Sequence, residues 1–226
     1  MLLVIKKKAK GAKMETIEND SIDLLQVLCT ITPLSSGYQQ KLKSQLQTEH
    51  YSTRTLLLQP GDICRKIYFV SRGMVRIYSV EESGRERTHL FMGAGELVID
   101  VASFFEQSPA TEYLETLQET TLQSLSWQEL NALYADFPEG NYVGRLTAEK
   151  YLVLVVRRNW ELLNNSLYER YQALLTKYPY IEQMANQSQI ASYLNISRET
   201  LSRLKRELLR QRRQTPPLMC DDINRL

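Results

Sequence analysis

Histidine and cysteine are scarce in this chain, two and three among 226 residues, and their scarcity removes whole classes of function. His50 and His89 stand alone, so the clustered imidazole and carboxylate ligands of a cupin-type metalloenzyme are missing. His50 is read in a helix-to-strand connection and His89 in a strand, each as a structural or exposed histidine. Cys29, Cys64 and Cys220 are widely separated with no C-x-x-C spacing, which argues against a disulfide framework or a zinc site. No nucleophile and base fall into a recognisable constellation, and Gly93-x-Gly95 lacks the third glycine and the following helix of a phosphate cradle. No enzyme activity, metal or cofactor is expected. Also missing is any apolar run long enough to cross a bilayer, and the opening MLLVI is followed by its lysines, not preceded by them. Neither a signal peptide nor a membrane anchor is expected, and the cytoplasm is the expected compartment.

A further absence is one of charge. Between Thr88 and Gly144 there is no Lys or Arg, while Glu96, Asp100, Glu106, Glu112, Glu115, Glu119, Glu129, Asp136 and Glu139 all lie there. The net charge of +2 therefore conceals a segregation, because Asn186 to Arg213 carries seven basic residues against Glu199 and Glu207. The positive end is the one suited to nucleic acid. A hydrophobic share of 43% and a charged share of 24% are those of an ordinary globular protein, with length for one large or two modest domains.

The basic end reads as a helix-turn-helix. Asn186 and Gln189 have the spacing of a capping box, and Ile190, Ala191 and Leu194 form an apolar face behind them. Asn195-Ile196 breaks the pattern at a residue tolerant of the left-handed conformation, and Ser197 supplies a second N-cap. From there to about Gln211 the sequence predicts a second helix with Leu201, Leu204 and Leu208 on one face. Arg198, Glu199 and Arg203 fall on the others. Arg can donate two bonds to guanine and Glu can accept one from cytosine, so these three are the candidates for base reading. Ser197, Lys205, Arg206, Arg210, Arg212 and Arg213 are the candidates for the DNA backbone.

The rest of the chain is organised ahead of that end. Residues 1–20, with Lys6, Lys7, Lys8, Lys10 and Lys13, are read as a basic arm, with Met14 as an alternative start. Helical patterns at about 21 to 29 and 37 to 49 precede short β-type runs from Tyr51 to about Trp127. Turn signals at Pro60-Gly61-Asp62, Ser71-Arg72-Gly73 and Ser83-Gly84-Arg85 have the spacing of a sandwich or barrel, most naturally a jelly roll. From Pro138 to Leu163 the residues Tyr142, Leu146, Glu149, Val153, Val156, Trp160 and Leu163 recur in steps of four and three, a heptad seam with Glu149 as its misfit. All but Glu149 are candidate dimer contacts. Leu152, Val155 and Leu162 lie off the seam and are expected to pack on the barrel. Asn164-Asn165-Ser166 is the expected hinge, with Ser166 and Glu169 opening the next helix, which ends at Tyr178-Pro179. The expected divisions are 1–20, 21–137, 138–165 and 166–226.

The stretch S-R-E-T-L-S-R-L, Ser197 to Leu204, resembles the recognition helix of the catabolite activator/fumarate-nitrate regulator (Crp/Fnr) family of bacterial transcription factors. L-Q-P-G-D, I-Y-F-V-x-x-G-M-V-R-I-Y and G-R-E resemble the glycines and hydrophobics of its sensor barrel. The resemblance implies an α+β chain: an N-terminal jelly-roll, cyclic-nucleotide-binding-like barrel, a long dimerisation helix and a C-terminal helix-turn-helix. It implies a homodimer on an inverted-repeat site, with RNA polymerase as a further partner, and base contacts from Arg198, Glu199 and Arg203. Many members place a β-hairpin between Tyr178 and Asn186, where this chain has little room. In members that bind cyclic AMP, a cassette after a Gly-Glu pair ends in Arg-Ser; the counterparts here are Glu96 and, at the pair, Ala110 and Thr111. Val155 and Val156 stand where a polar pair would recognise the base. The guanidinium is missing, so Glu96 and Thr111 are left as effector-pocket candidates for a less anionic ligand, or for none. The rival reading is a cyclic-nucleotide-binding-like module acting on protein partners, which has no use for major-groove donors.

Overall fold

The computed structural model describes residues 21–214; the basic arm, Cys220 and the tail, and the side chains of Arg212 and Arg213, lie outside the described residues. Two short helices, α1 (Leu24–Ile31) and α2 (Ser36–Gln45), come first, capped by Asp23 and Ser35. Eight strands follow: β1 (Gln47–Tyr51), β2 (Leu56–Leu58), β3 (Lys66–Arg72), β4 (Met74–Val80), β5 (Glu86–Gly93), β6 (Leu97–Val98), β7 (Tyr113–Thr116) and β8 (Thr120–Ser126). A six-residue helix, α3 (Val101–Glu106), lies between β6 and β7. The chain finishes with α4 (Trp127–Asp136), α5 (Pro138–Asn164), α6 (Leu167–Lys177), α7 (Ile181–Met184), α8 (Gln187–Tyr193) and α9 (Arg198–Gln214).

The strands make two four-stranded antiparallel sheets, β1-β8-β3-β6 and β2-β7-β4-β5, the face-to-face pair of a jelly roll. Alternation places Val70, Val75, Ile77, Met92, Leu114 and Leu122 between them, all essentially inaccessible. Phe69 and Leu125 point outward from the first sheet and are covered by α1, α2 and α4. Gly73 makes the β3–β4 turn possible: its φ is +99°, and a Cβ there would sit 2.7 Å from the Thr120 Cα.

Three expectations need correction. The helix read to residue 49 stops at Gln45, because Gln47–Tyr51 pairs residue by residue with β8 and sheet hydrogen bonds outweigh a helical period in so polar a stretch. His50 accordingly sits in β1, 3.0 Å from the Thr121 hydroxyl, and not in a connection. On α5, Leu152 and Val155 do not pack on the barrel: they are 62% and 36% exposed, and Tyr151 faces inward. The inward and outward stripes of a 27-residue helix are set by how it lies on the sheet, which hydrophobicity alone does not report. Pro138 begins α5 at its first turn, where its missing N–H costs nothing.

Candidate nucleic-acid interface and sensor pocket

Local chemistry builds the helix-turn-helix. Asn186 accepts from the Gln189 amide at 2.9 Å while the Gln189 side chain accepts from the Asn186 amide at 2.9 Å, so α8 opens on a complete capping box. Asn195 takes φ +55° in the turn, and Ser197 accepts from the Thr200 amide at 3.2 Å to start α9. Leu201 is fully buried against Ile190, Ala191 and Leu194, with Leu204 and Leu208 partly buried beside them. That anchorage leaves Arg198, Glu199, Arg203, Arg206 and Arg210 exposed, and Ser197 with them. Lys205 is the exception among the backbone candidates, since its ammonium is paired with Glu182 of α7. The interval from Tyr178 to Asn186 is filled by α7 and contains no strand.

Two arginines outside the unit hold its first helix. Arg170 Nη1 donates to the Leu194 carbonyl at 2.9 Å, and Arg158 of α5 donates to the Tyr193 carbonyl while its guanidinium lies 3.6 Å from the Tyr193 ring centroid. Both place positive charge on the carbonyl end of α8, the end where cations are favoured.

The unit docks on the second sheet at its edge strand. Ser192 Oγ accepts from the Thr88 amide at 2.8 Å and donates to the Glu86 carbonyl at 3.0 Å, using backbone groups of β5 that no further strand takes up. Phe91 meets the Tyr193 ring with centroids 5.0 Å apart. The Tyr178 hydroxyl lies against the Phe91 carbonyl and 2.6 Å from Glu96 Oε2, which also accepts from the Gly93 amide at 2.8 Å, and Lys177 pairs with Glu96 Oε1 at 2.9 Å. Burial first, then the Glu96 charge, pushes the Tyr178 phenol well above its ordinary value, so it stays a donor. A cleft of about 390 Å³ remains between the β4–β5 turn and the unit, with Arg85 and Glu86 on one side and Arg198 and Ser197 on the other. One of the three base-reading candidates thus faces the sensor barrel in this arrangement.

Glu96 and Thr111 are not brought together in one pocket. Glu96 is occupied by Tyr178 and Lys177, and Thr111 is exposed at the entry to β7. The carboxylates that face α5 are Asp100 and Glu112, which motif reading missed. Asp100 is buried at the N-cap of α3, where one oxygen accepts from the Ser103 amide at 3.0 Å and Oδ2 has no partner. Burial and then the charge of Asp100 push Glu112 up to about 7. Tyr151 of α5 is pushed to about 12 by burial, then by Glu112 and Asp100. The spacing of Asp100 and Ser103 is that of a helix cap, and it was the available signal that the cassette helix starts at Asp100. Ala110, at the position of the missing arginine, is buried at 4% exposure.

The seam candidates Tyr142, Val153, Val156, Trp160 and Leu163 are 44%, 53%, 58%, 58% and 84% exposed on a single chain, and Leu146 is half-buried. Glu149, the misfit, pairs with Arg145 one turn away.

A jelly-roll barrel is followed by a long helix that leads to a helix-turn-helix. Known proteins share this architecture. The cyclic nucleotide-binding domain family matches residues 48–137. The CRP-like protein Clp of Xanthomonas oryzae pv. oryzae is 27% identical over 179 residues, 76% of each chain. Among solved structures, the c-di-GMP responsive global regulator CLP of Xanthomonas campestris superposes with a TM-score of 0.61 at 23% identity, over 78% of this chain and 93% of that one. FixK2 from Bradyrhizobium japonicum gives 0.61 at 17% identity, over 74% and 85%. At these identities the structural likenesses show the fold. The chain is thus similar to CRP-like proteins over about three quarters of its length, and residues 48–137 match the cyclic nucleotide-binding domain family. Among the described residues, no helix is long and apolar enough to cross a membrane.

Proposed function

We propose that this protein is a homodimeric, sequence-specific DNA-binding regulator that reads an inverted repeat and is not governed by cyclic AMP. The observation that carries the reading is α9: its apolar face is buried through Leu201, and Arg198, Glu199 and Arg203 are left exposed together at its N-terminal end. Arg206 and Arg210, with Arg212 and Arg213, serve the phosphates and supply salt-dependent affinity without sequence information. Lys205 is withdrawn from that set by Glu182. Arg203→Ala is expected to cost about 1 to 3 kcal/mol on the best site and to relax preference at one base pair. Site selection from random DNA, followed by titration of both proteins on the selected and scrambled sites, is the test. An unaltered ratio for the variant refutes the assignment.

The exposed apolar stripe of α5 supports dimerisation, because Val153, Val156 and Trp160 at heptad positions have no cover in one chain. The two recognition helices would then lie roughly 34 Å apart, one turn of B-DNA. Val156→Asp is expected to yield monomers, since a carboxylate in the seam is buried without a partner. Light scattering reads the outcome, and an unchanged dimer moves the interface elsewhere.

Cyclic AMP is an anion, and the pocket side of the barrel presents Asp100 and Glu112 with Ala110 where the phosphate-binding guanidinium would stand. Entry would cost desolvation with no charge-assisted bond in return. Calorimetric titration with cyclic AMP checks this, with cyclic di-GMP, the ligand to which the Xanthomonas campestris regulator responds, in parallel. Low-micromolar binding of cyclic AMP overturns this part of the reading.

A further inference from the structure

We propose that Glu149 is a dimer contact: with Arg145 of its own chain and the partner's Lys150 it forms a charged layer in the α5 seam that fixes which chain pairs there and in what register. The occupant is a second copy of this chain, so the proposal rests on the dimer reading and deepens it.

The opposite face of α5 sets the geometry. Gly144, Tyr151 and Arg158 recur every seven residues, about two helical turns, and all three meet the body of the chain. A Cβ at Gly144 would lie 2.7 Å from the Tyr134 hydroxyl, Tyr151 packs against the barrel core, and the Arg158 guanidinium lies 3.6 Å from the Tyr193 ring centroid. At about 100° per residue, the positions two before and two after each of these are turned roughly 160° away. Those positions are Tyr142, Leu146, Glu149, Val153, Val156 and Trp160, the seam itself. Glu149 is therefore no edge residue. Any helix that covers Leu146 and Val153 covers it too.

Helix-turn-helix units that read one inverted repeat must leave the seam at the same end, so the two helices run parallel and each seam residue meets its own counterpart. For Glu149 that apposition places two carboxylates in one layer, and they repel unless cations join them. The cations are at hand. Arg145 pairs with Glu149 and its guanidinium lies 5.2 Å from the Tyr142 ring centroid, so it is held along the margin of the seam between two seam residues. Within one chain the pair is 57% and 54% exposed and has Arg ahead of Glu, the weaker order on a helix, so it contributes little there. Lys150 follows the seam position directly, is half-buried, and has no ion pair among the described residues. That flank borders the facing seam, where an ammonium meets the other copy's Glu149. A slip of one heptad would set one Glu149 against the other copy's Tyr142, with Val143 in place of Lys150, and desolvate it without that cation. A foreign apolar helix fails in the same way. The layer sacrifices some affinity for register and self-selection, the use that a single polar position has in a seam.

The experiment mixes the full chain with its Glu149→Lys variant, each carrying a different affinity tag, and counts homodimers and mixed dimers by native mass spectrometry after exchange. Opposite charges across the layer should favour the mixed dimer about tenfold over a statistical distribution at physiological salt, and the preference should fall as salt is raised. Sedimentation equilibrium reads the single variants. Arg145→Met should weaken self-association by about tenfold and Lys150→Met by a few-fold, whereas Glu149→Leu should tighten it by about tenfold. Arg145 and Glu149 are exposed on one chain, so their replacement spares the fold. A dimeric parent that mixes statistically with Glu149→Lys overturns the proposal and leaves the dimer reading standing, and so does a Glu149→Leu variant that associates no more tightly than the parent. A monomeric parent overturns both.

Discussion

Two groups of carboxylates flank the second sheet, and the chain treats them in opposite ways. On its outer face Arg76, with a side chain 2% exposed, reaches Glu86 Oε2 and Glu115 Oε2 at 2.6 Å each and lies 3.8 Å from the Tyr78 ring centroid, with Tyr78 stacked on Tyr113. One guanidinium bridges β4 to both of its neighbours. On the side facing α5, neither Asp100 nor Glu112 is paired with a Lys or Arg among the described residues. In the first group both carboxylates are paired with the guanidinium, and it reads as structure. The second has no such pairing, and Asp100 Oδ2 is buried without a hydrogen-bond partner. Formal charge counted along the chain does not separate the two cases, because Glu115 and Glu112 lie in the same acidic stretch.

The comparison sharpens or breaks by substitution. Arg76→Met should show the largest effect, a loss of about 3 to 5 kcal/mol, because it strands Glu115 at a site only 15% exposed. Urea unfolding measures it, and adding Glu115→Gln should restore much of the loss. A single-variant cost below about 1 kcal/mol would mean that the bridge is ornamental.

Glu112→Gln should act with the opposite sign. The folded protein holds the Glu112 proton more tightly than the unfolded chain does, at about 7 against 4.5. Its contribution is therefore fully present below about 4.5 and is lost as pH rises through about 7. Asp100, His89 and Tyr151 are the titratable groups that face it. At pH 8 the amide variant should be more stable than the parent by on the order of 1 to 3 kcal/mol, with the difference shrinking toward pH 5. Paired unfolding curves at the two pH values check the slope. A pH-independent difference would show that Glu112 ionises freely in the fold.

Tyr178→Phe is the smallest of the three, about 1 kcal/mol in global stability. It removes the hydroxyl between Glu96 and the Phe91 carbonyl, and should show as faster hydrogen exchange at the Gly93 amide, whose acceptor Glu96 loses a second partner. Unchanged exchange there would place the docking energy in the Ser192 and Tyr193 contacts instead.

What the sequence by itself determined is local in origin. The capping boxes at Asn186 and Gln189 and at Ser166 and Glu169, the left-handed Asn195, Pro138 at the start of α5 and the turn at Gly73 each depend on residues within about one turn of one another, where backbone hydrogen bonding and steric exclusion act without reference to the rest of the fold. The repeat along α5 was legible for the same reason, as a periodicity. Tertiary structure alone decided which stripe of α5 meets the barrel: Tyr151 goes inward while Leu152 and Val155 stay out, since two apolar stripes on one helix are equivalent until a sheet is placed against one of them. It also decided that Ser192 completes the edge of β5, that Lys205 is spent on Glu182, and that Glu96 serves the docking of the helix-turn-helix unit. Asp100 and Glu112 are twelve positions apart, yet the charge of Asp100 acts on Glu112. Charge that distant in sequence interacts through space, and space is what the fold supplies.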